Sequence, residues 1–174
     1  MAALFELRDK TLRTLIERAD QSTRLRKSFN IHKSHQEPIQ RLCNAICVNS
    51  YIRPHRHSLD PKHELLVAIK GIFALIVFSD SGNPESYSVF GSEKYLASDK
   101  DSYAVEVPPF CWHTVIALAP RSVLLEIKEG PFDHLVAKEY APWSPLENSI
   151  DAKPYLRHLR ATVLGTSTVE IFDS

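Results

Sequence analysis

Three cysteines in 174 residues, Cys43, Cys47 and Cys111, are too few and too odd in number for a disulfide framework. Charge of one sign is also lacking. Twenty-one Lys and Arg offset twenty-one Asp and Glu, which leaves no basic field for nucleic acid or an anionic membrane. Aromatic residues are scattered and do not alternate with Lys or Arg, so no base-stacking platform is expected. The longest apolar run, 65–78, contains Lys70 and Gly71 and falls short of the ~20 apolar residues a spanning helix needs. The opening MAALFELRDK has no basic region followed by an apolar core and a small-residue cleavage site. The expectation is a cytoplasmic protein with neither a nucleic-acid nor a membrane partner.

The length fits one domain with an added helical arm. Residues 5–20 read as an amphipathic helix, because Leu12, Leu15, Ile16 and Ala19 recur at helical spacing. The stretch 20–38 is polar and irregular and reads as a connector. From residue 39 the texture changes. Short β-branched and aromatic runs at 41–52, 64–78, 86–90, 103–107, 113–119 and 122–128 alternate with turn signals such as SDSGNPES and SDKD. That punctuation indicates an all-β sandwich or barrel. Gly71 splits the second run, as at a bulge or a tight hairpin. The Pro-rich stretch 129–147 reads as an ordered loop across the scaffold, and 150–164 as a final helix. The segment after Gly165 reads either as a strand or as a frayed tail. The expected organisation is an N-terminal helix and arm (1–38), a β-barrel (39–130), and a loop with a C-terminal extension packed on the barrel (131–174).

Four side chains carry the strongest chemical signal: His55 and His57 in RPHRH, Glu64 in KHELLVAIKG and His113 in PPFCWH. Residues alternate faces along a strand, so His55 and His57 point the same way, roughly 6–7 Å apart. Glu64 opens a strongly apolar run, and a buried carboxylate there needs a partner. Three imidazoles and one carboxylate suffice to hold a divalent transition metal. By the same alternation Tyr51 and Arg53 share the face of His55, Arg53 as a cation for a substrate carboxylate or phosphate. Cys111 shares the parity of His113 but reads as a small buried hydrophobe rather than a thiolate ligand.

These motifs resemble cupins, small β-barrels in which one motif supplies two His and a Glu and a second supplies another His. HRHSLDPKHELLVAIKG is similar to the first and PPFCWH to the second, although Phe110 stands where the second motif commonly has Gly. The likeness is closer to WbuC-type cupin metalloproteins of surface-polysaccharide gene clusters, through RLRKSFNIH, PIQRLCNA, YIRPHRH, PPFCWHTVIAL, LLEIKEGPF and KEYAPWSP. The resemblance implies a single cupin, a double-stranded β-helix or jelly-roll barrel, with an N-terminal helical arm and a short C-terminal helical extension. It implies His55, His57, Glu64 and His113 as ligands of one zinc, iron, manganese or nickel ion. It also implies Arg26, Arg41 and Asn44 as candidate substrate-binding residues. Cupin barrels often dimerise through a sheet face, for which 72–78 and the loop near Trp143 are candidates.

An open coordination position is a Lewis-acid site. Proton transfer beside it needs a base, for which Glu126 in LLEIK is the candidate, with Tyr51 as a possible acid. The expected function is an isomerase or epimerase acting on a sugar or nucleotide-sugar in polysaccharide biosynthesis. The alternatives are a non-haem iron oxygenase and a non-catalytic binder of a carbohydrate-like or anionic ligand.

Overall fold

The structure, a computed structural model, describes residues 4–95 and 102–165. The expected SDKD turn and the tail beyond Gly165 both lie outside the described residues. In chain order the elements are α1 (Asp9–Asp20), β1 (Arg26–Asn30), β2 (Ile39–Ile46), β3 (His55–Arg56), β4 (Glu64–Lys70), β5 (Ile72–Phe78), β6 (Pro84–Gly91), β7 (Ala104–Val107), β8 (Trp112–Ala117), β9 (Ser122–Glu129), β10 (Glu139–Tyr140) and α2 (Ala152–Leu164).

The strands form two five-stranded sheets, ordered β1-β2-β9-β4-β7 and β10-β3-β8-β5-β6, with every ladder antiparallel. They pack face to face as a jelly-roll barrel. The non-consecutive neighbours mean that the chain switches sheets repeatedly. Gly71 makes one such switch. It does not close a hairpin, because β4 lies in the first sheet and β5 in the second. Its φ of +79° is the left-handed region, and a Cβ there would meet Ser122 Oγ at 2.0 Å and Ser122 Cα at 2.9 Å.

Strand alternation divides the core into layers. Between the sheets pack Ile46, Leu66, Phe73, Leu75, Val115 and Leu124. On the outer face of the first sheet α1 buries Leu12, Leu15, Ile16 and Ala19 against Cys43, Ala45 and Val123. On the outer face of the second, α2 buries Leu156, Leu159 and Val163 against Ala74, Ile76, Phe78 and Ile116. Each large aliphatic side chain so buried contributes about 1.5–3 kcal/mol.

Two expectations change here. The supposed connector 20–38 contains β1, which pairs with β2 and extends the first sheet. Its apolar content is too low to show as a strand, yet a sheet edge needs only backbone partners. The run 72–78, a candidate dimer surface, is an interior strand: Phe73, Ala74, Leu75, Ile76 and Phe78 are at most 5% exposed, and α2 covers their outer face.

Candidate metal centre

Inward-facing residues change character along each strand. On β8, His113 precedes Val115 and Ala117; on β4, Glu64 precedes Leu66 and Ala68; on β9, Leu124 precedes Glu126 and Lys128. One end of the barrel is therefore filled with hydrocarbon. The other holds a polar cavity of about 530 Å³.

Three imidazoles converge in this polar end. His55 and His113 are directly opposed in the β3–β8 ladder, with ring centroids 4.6 Å apart. His57 completes the triangle at 5.4 and 5.5 Å. One potential ligand atom from each lies within 4.8 Å of the others, and all three residues are buried. Each Nδ1 faces a backbone carbonyl: His55 that of Arg53 at 2.9 Å, His113 that of Cys111 at 2.9 Å and His57 that of Ala137 at 2.5 Å. Donation to those oxygens puts the proton on Nδ1 and leaves Nε2 with its lone pair, the state a metal requires. Two of these carbonyls come from the residue two positions earlier. The third comes from the 129–147 loop, which thereby orients a ligand on another element.

Glu64 lies against this triangle. Its Oε1 is 3.1 Å from His57 Nε2 and its Oε2 is 3.8 Å from His113 Nε2. With the proton on Nδ1, His57 Nε2 and Glu64 Oε1 are both acceptors, and His57 Nε2 has no hydrogen-bond partner. Two buried acceptors at that distance need a proton or a cation between them. The donor set fits a divalent transition metal, since metal–nitrogen bonds of ~2.0–2.1 Å bring neighbouring ligand atoms about this close. Glu64 is also gripped by Lys128, whose Nζ lies 2.9 Å from Oε1. Burial would raise the Glu64 carboxyl. In the metal-free chain a proton on the facing Nε2 of His113 or His57, together with the Lys128 charge, outweighs burial and holds the group well below its ordinary value; a bound cation would take that proton's place. Burial, and then the Lys138 ammonium, drive His55 well below the usual imidazole value, which keeps it neutral. The four residues singled out from the sequence thus meet at one place, three as a converged imidazole group and Glu64 as its carboxylate neighbour.

The other candidates divide. Glu126 and Asn44 line the cavity and bond each other, Asn44 Nδ2 donating to Glu126 Oε2 at 2.9 Å. Lys128 lies 3.0 Å from the other Glu126 oxygen, so it bridges Glu126 and Glu64. Arg26 lines the rim but is occupied by Glu147 at 2.5 Å and the Tyr51 carbonyl at 2.9 Å. Arg41 projects from the opposite face of β2 and pairs with Glu37 at 2.5 Å. Tyr51 and Arg53 are not on the His55 face. Tyr51 sits in the apolar layer under α2, its hydroxyl donating to the Pro145 carbonyl at 3.0 Å, and burial raises that hydroxyl far above its ordinary value. Arg53 donates to Ser144 Oγ at 3.0 Å and the Ala141 carbonyl at 2.8 Å. Regular β geometry begins only at His55, after Pro54, so strand parity does not reach back to these two residues. Cys111 packs beside the inter-sheet core, outside the imidazole group, and burial raises its thiol.

Sequence reasoning gave no role to Lys138, which lines the cavity next to Ala137. Its segment, KEYAPWSP, carries three-residue punctuation by proline and no periodic signal, and β10 spans only two residues.

A family model described as Domain of unknown function (DUF6016) matches residues 7–89. A search of curated proteins returns no match. Among solved structures, a protein from Shewanella oneidensis superposes with a TM-score of 0.50 at 12% identity, over 65% of this chain and 72% of that one. A cupin 2 conserved barrel domain protein from Rhodopseudomonas palustris gives 0.47 at 13% identity, over 79% and 77%. KdgF from Halomonas sp. gives 0.46 at 14%, over 63% and 81%. Identities this low speak to the fold alone. No helix among the described residues is long and apolar enough to cross a membrane. Two antiparallel five-stranded sheets, rolled face to face with a histidine cluster at one end, make this scaffold a jelly-roll barrel, the fold expected from the sequence.

Proposed function

We propose that the chain is a metal-dependent enzyme acting on a small carbohydrate, of isomerase or epimerase type. The observation that carries this reading is the pair of facing acceptors, His57 Nε2 and Glu64 Oε1, 3.1 Å apart beside two further imidazoles in a cavity large enough for a sugar. His55, His57 and His113 would hold the ion, with Glu64 as a fourth donor or its charge partner. When bound, a divalent ion supplies a Lewis acid at that position.

The protein's own groups supply the rest. Glu126 faces the same cavity and is held by Asn44 and Lys128 through one oxygen each. Each carboxylate oxygen keeps a lone pair, so Glu126 can take a proton from a substrate carbon and return it to the same or the neighbouring carbon. As the proton leaves, the C–H pair becomes the C=C bond of an enediolate and the carbonyl π pair moves to oxygen. Protonation of the neighbouring carbon, with the hydroxyl proton passing to the former carbonyl oxygen, is isomerisation, and protonation of the same carbon on its opposite face is epimerisation. Lys128 balances the charge on Glu126 and Glu64 throughout. The sequence likeness to WbuC-type cupins supports a surface-polysaccharide precursor as the source of substrate.

The test is solvent exchange. Protein loaded in turn with zinc, manganese, nickel or iron is incubated with a nucleotide-sugar panel in deuterated water and followed by proton NMR. Loss of one sugar C–H signal, abolished by Glu126→Gln with metal content unchanged, is the expected result. No exchange in any sugar by any metal form sinks the reading, and oxygen consumption by the iron form alone would move it to oxygenase chemistry.

A further inference from the structure

The charge balance of the cavity points to the class of molecule it takes. Its wall carries two arginines and three lysines against three glutamates. Arg24 and Arg26 share Glu147, at 3.2 and 2.5 Å. Lys128 holds both Glu64 and Glu126. Two cations are left over. Lys27 is exposed at the rim, where water solvates it. Lys138 is partly buried and has no hydrogen bond or ion pair among the described residues. Its ammonium is near enough to the imidazole cluster for its field to act on His55.

An ammonium without a direct partner in a partly buried site is costly, and a divalent ion bound nearby adds repulsion. Lys128 neutralises one of the two charges on Glu64 and Glu126 and Lys138 faces the other, so the excess appears with the ion: a divalent cation at the imidazoles leaves two positive charges uncompensated around it. Burial accordingly pulls the Lys138 ammonium below its ordinary value, even with two glutamates acting the other way. With the ion bound, that excess calls for a counter-charge from outside the chain. On the reading that the imidazoles hold an ion, we propose that Lys138 and that ion together bind an oxyanion, a carboxylate or phosphoryl group carried by the substrate. Lys138 is then the specificity determinant that selects acidic over neutral molecules, the part expected of Arg53 from the sequence.

The probes are glycolate, inorganic phosphate and ethylene glycol, titrated into cobalt-loaded protein while the visible spectrum of the ion is followed. Wild type, Lys138→Met and Lys138→Arg are compared, with circular dichroism as a check of folding. Glycolate or phosphate is expected to perturb the spectrum at a concentration at least tenfold below that needed for ethylene glycol. Lys138→Met loses that preference by tenfold or more, and Lys138→Arg keeps most of it. A glycolate response with phosphate silent assigns a carboxylate, and the converse assigns a phosphoryl group. Equal responses to anion and diol overturn the proposal. So does silence of both anions to tens of millimolar, or an unchanged anion response in Lys138→Met. Failure to take up cobalt at all sinks the underlying metal reading instead, and is distinguishable at the first step.

Discussion

Replacing Lys128 by Met removes one cation from between two carboxylates while keeping most of its volume. Lys128 Nζ is 2.9 Å from Glu64 and 3.0 Å from Glu126, and the residue is 9% exposed. Removing one partner of a buried ion pair costs about 3–5 kcal/mol, because the charge left behind is unpaired. In metal-free protein this is a fall in melting temperature of roughly 6–20 °C for a chain of this size. An ion at the imidazole cluster changes the account. It neutralises Glu64, leaving only Glu126, which keeps its bond from Asn44, so the deficit falls to about 1–2 kcal/mol. The difference is a coupling of about 2 kcal/mol between Lys128 and the ion, and coupling is reciprocal. Lys128→Met should therefore bind the ion roughly 30-fold more tightly than wild type while being the less stable protein. Thermal denaturation in chelator and in excess zinc, with ion affinity from competition against a chromophoric chelator, measures both sides. A metal-free deficit under about 1 kcal/mol, or equal deficits with and without zinc, would refute the reasoning.

Three further outcomes are expected. His113→Ala removes one of three converged imidazoles, and its ion affinity should fall by about 100-fold or more, measured by the same competition. Metal-free protein should lose stability in acid: folded His55 is held below 6.5 and folded Glu64 below 4.5, so the unfolded chain binds those protons first. Stability is then fully present at about pH 8, declines once pH drops below the His value and declines again below the Glu value, and a flat denaturation midpoint over that range would remove the claim. Gly71→Ala combines a left-handed backbone with overlap onto Ser122, and should cost about 2–5 kcal/mol by urea denaturation without altering ion affinity.

Which side chains could be read in advance follows from how backbone geometry sets their direction. His113, Glu64 and Glu126 lie on β8, β4 and β9, each at least six residues long, where alternation carries a side chain's face from one position to the next. Arg41 and Asn44 also lie on a regular strand, but three residues apart, and alternation itself puts them on opposite faces, so the two substrate-binding candidates cannot both face the cavity. Tyr51 and Arg53 failed for a different reason, since the residues before His55 are not a strand and no period applies. Phe110 is a third kind of case. Its φ of +66° is the left-handed geometry for which the related motif commonly uses Gly, so the turn before His113 persists without the residue that suits it best. Lys138 had no local signal at all. What marks it out is the sum of the charges around it, and that is a property of every element facing the cavity at once: β1, β2, β3, β4, β8, β9 and the segment around β10. A pattern along the chain can show where a strand points a side chain, whereas an excess of charge appears only when topology has brought all the contributing walls together. The charge excess from which an acidic ligand is proposed is therefore legible in the tertiary structure and not in sequence periodicity.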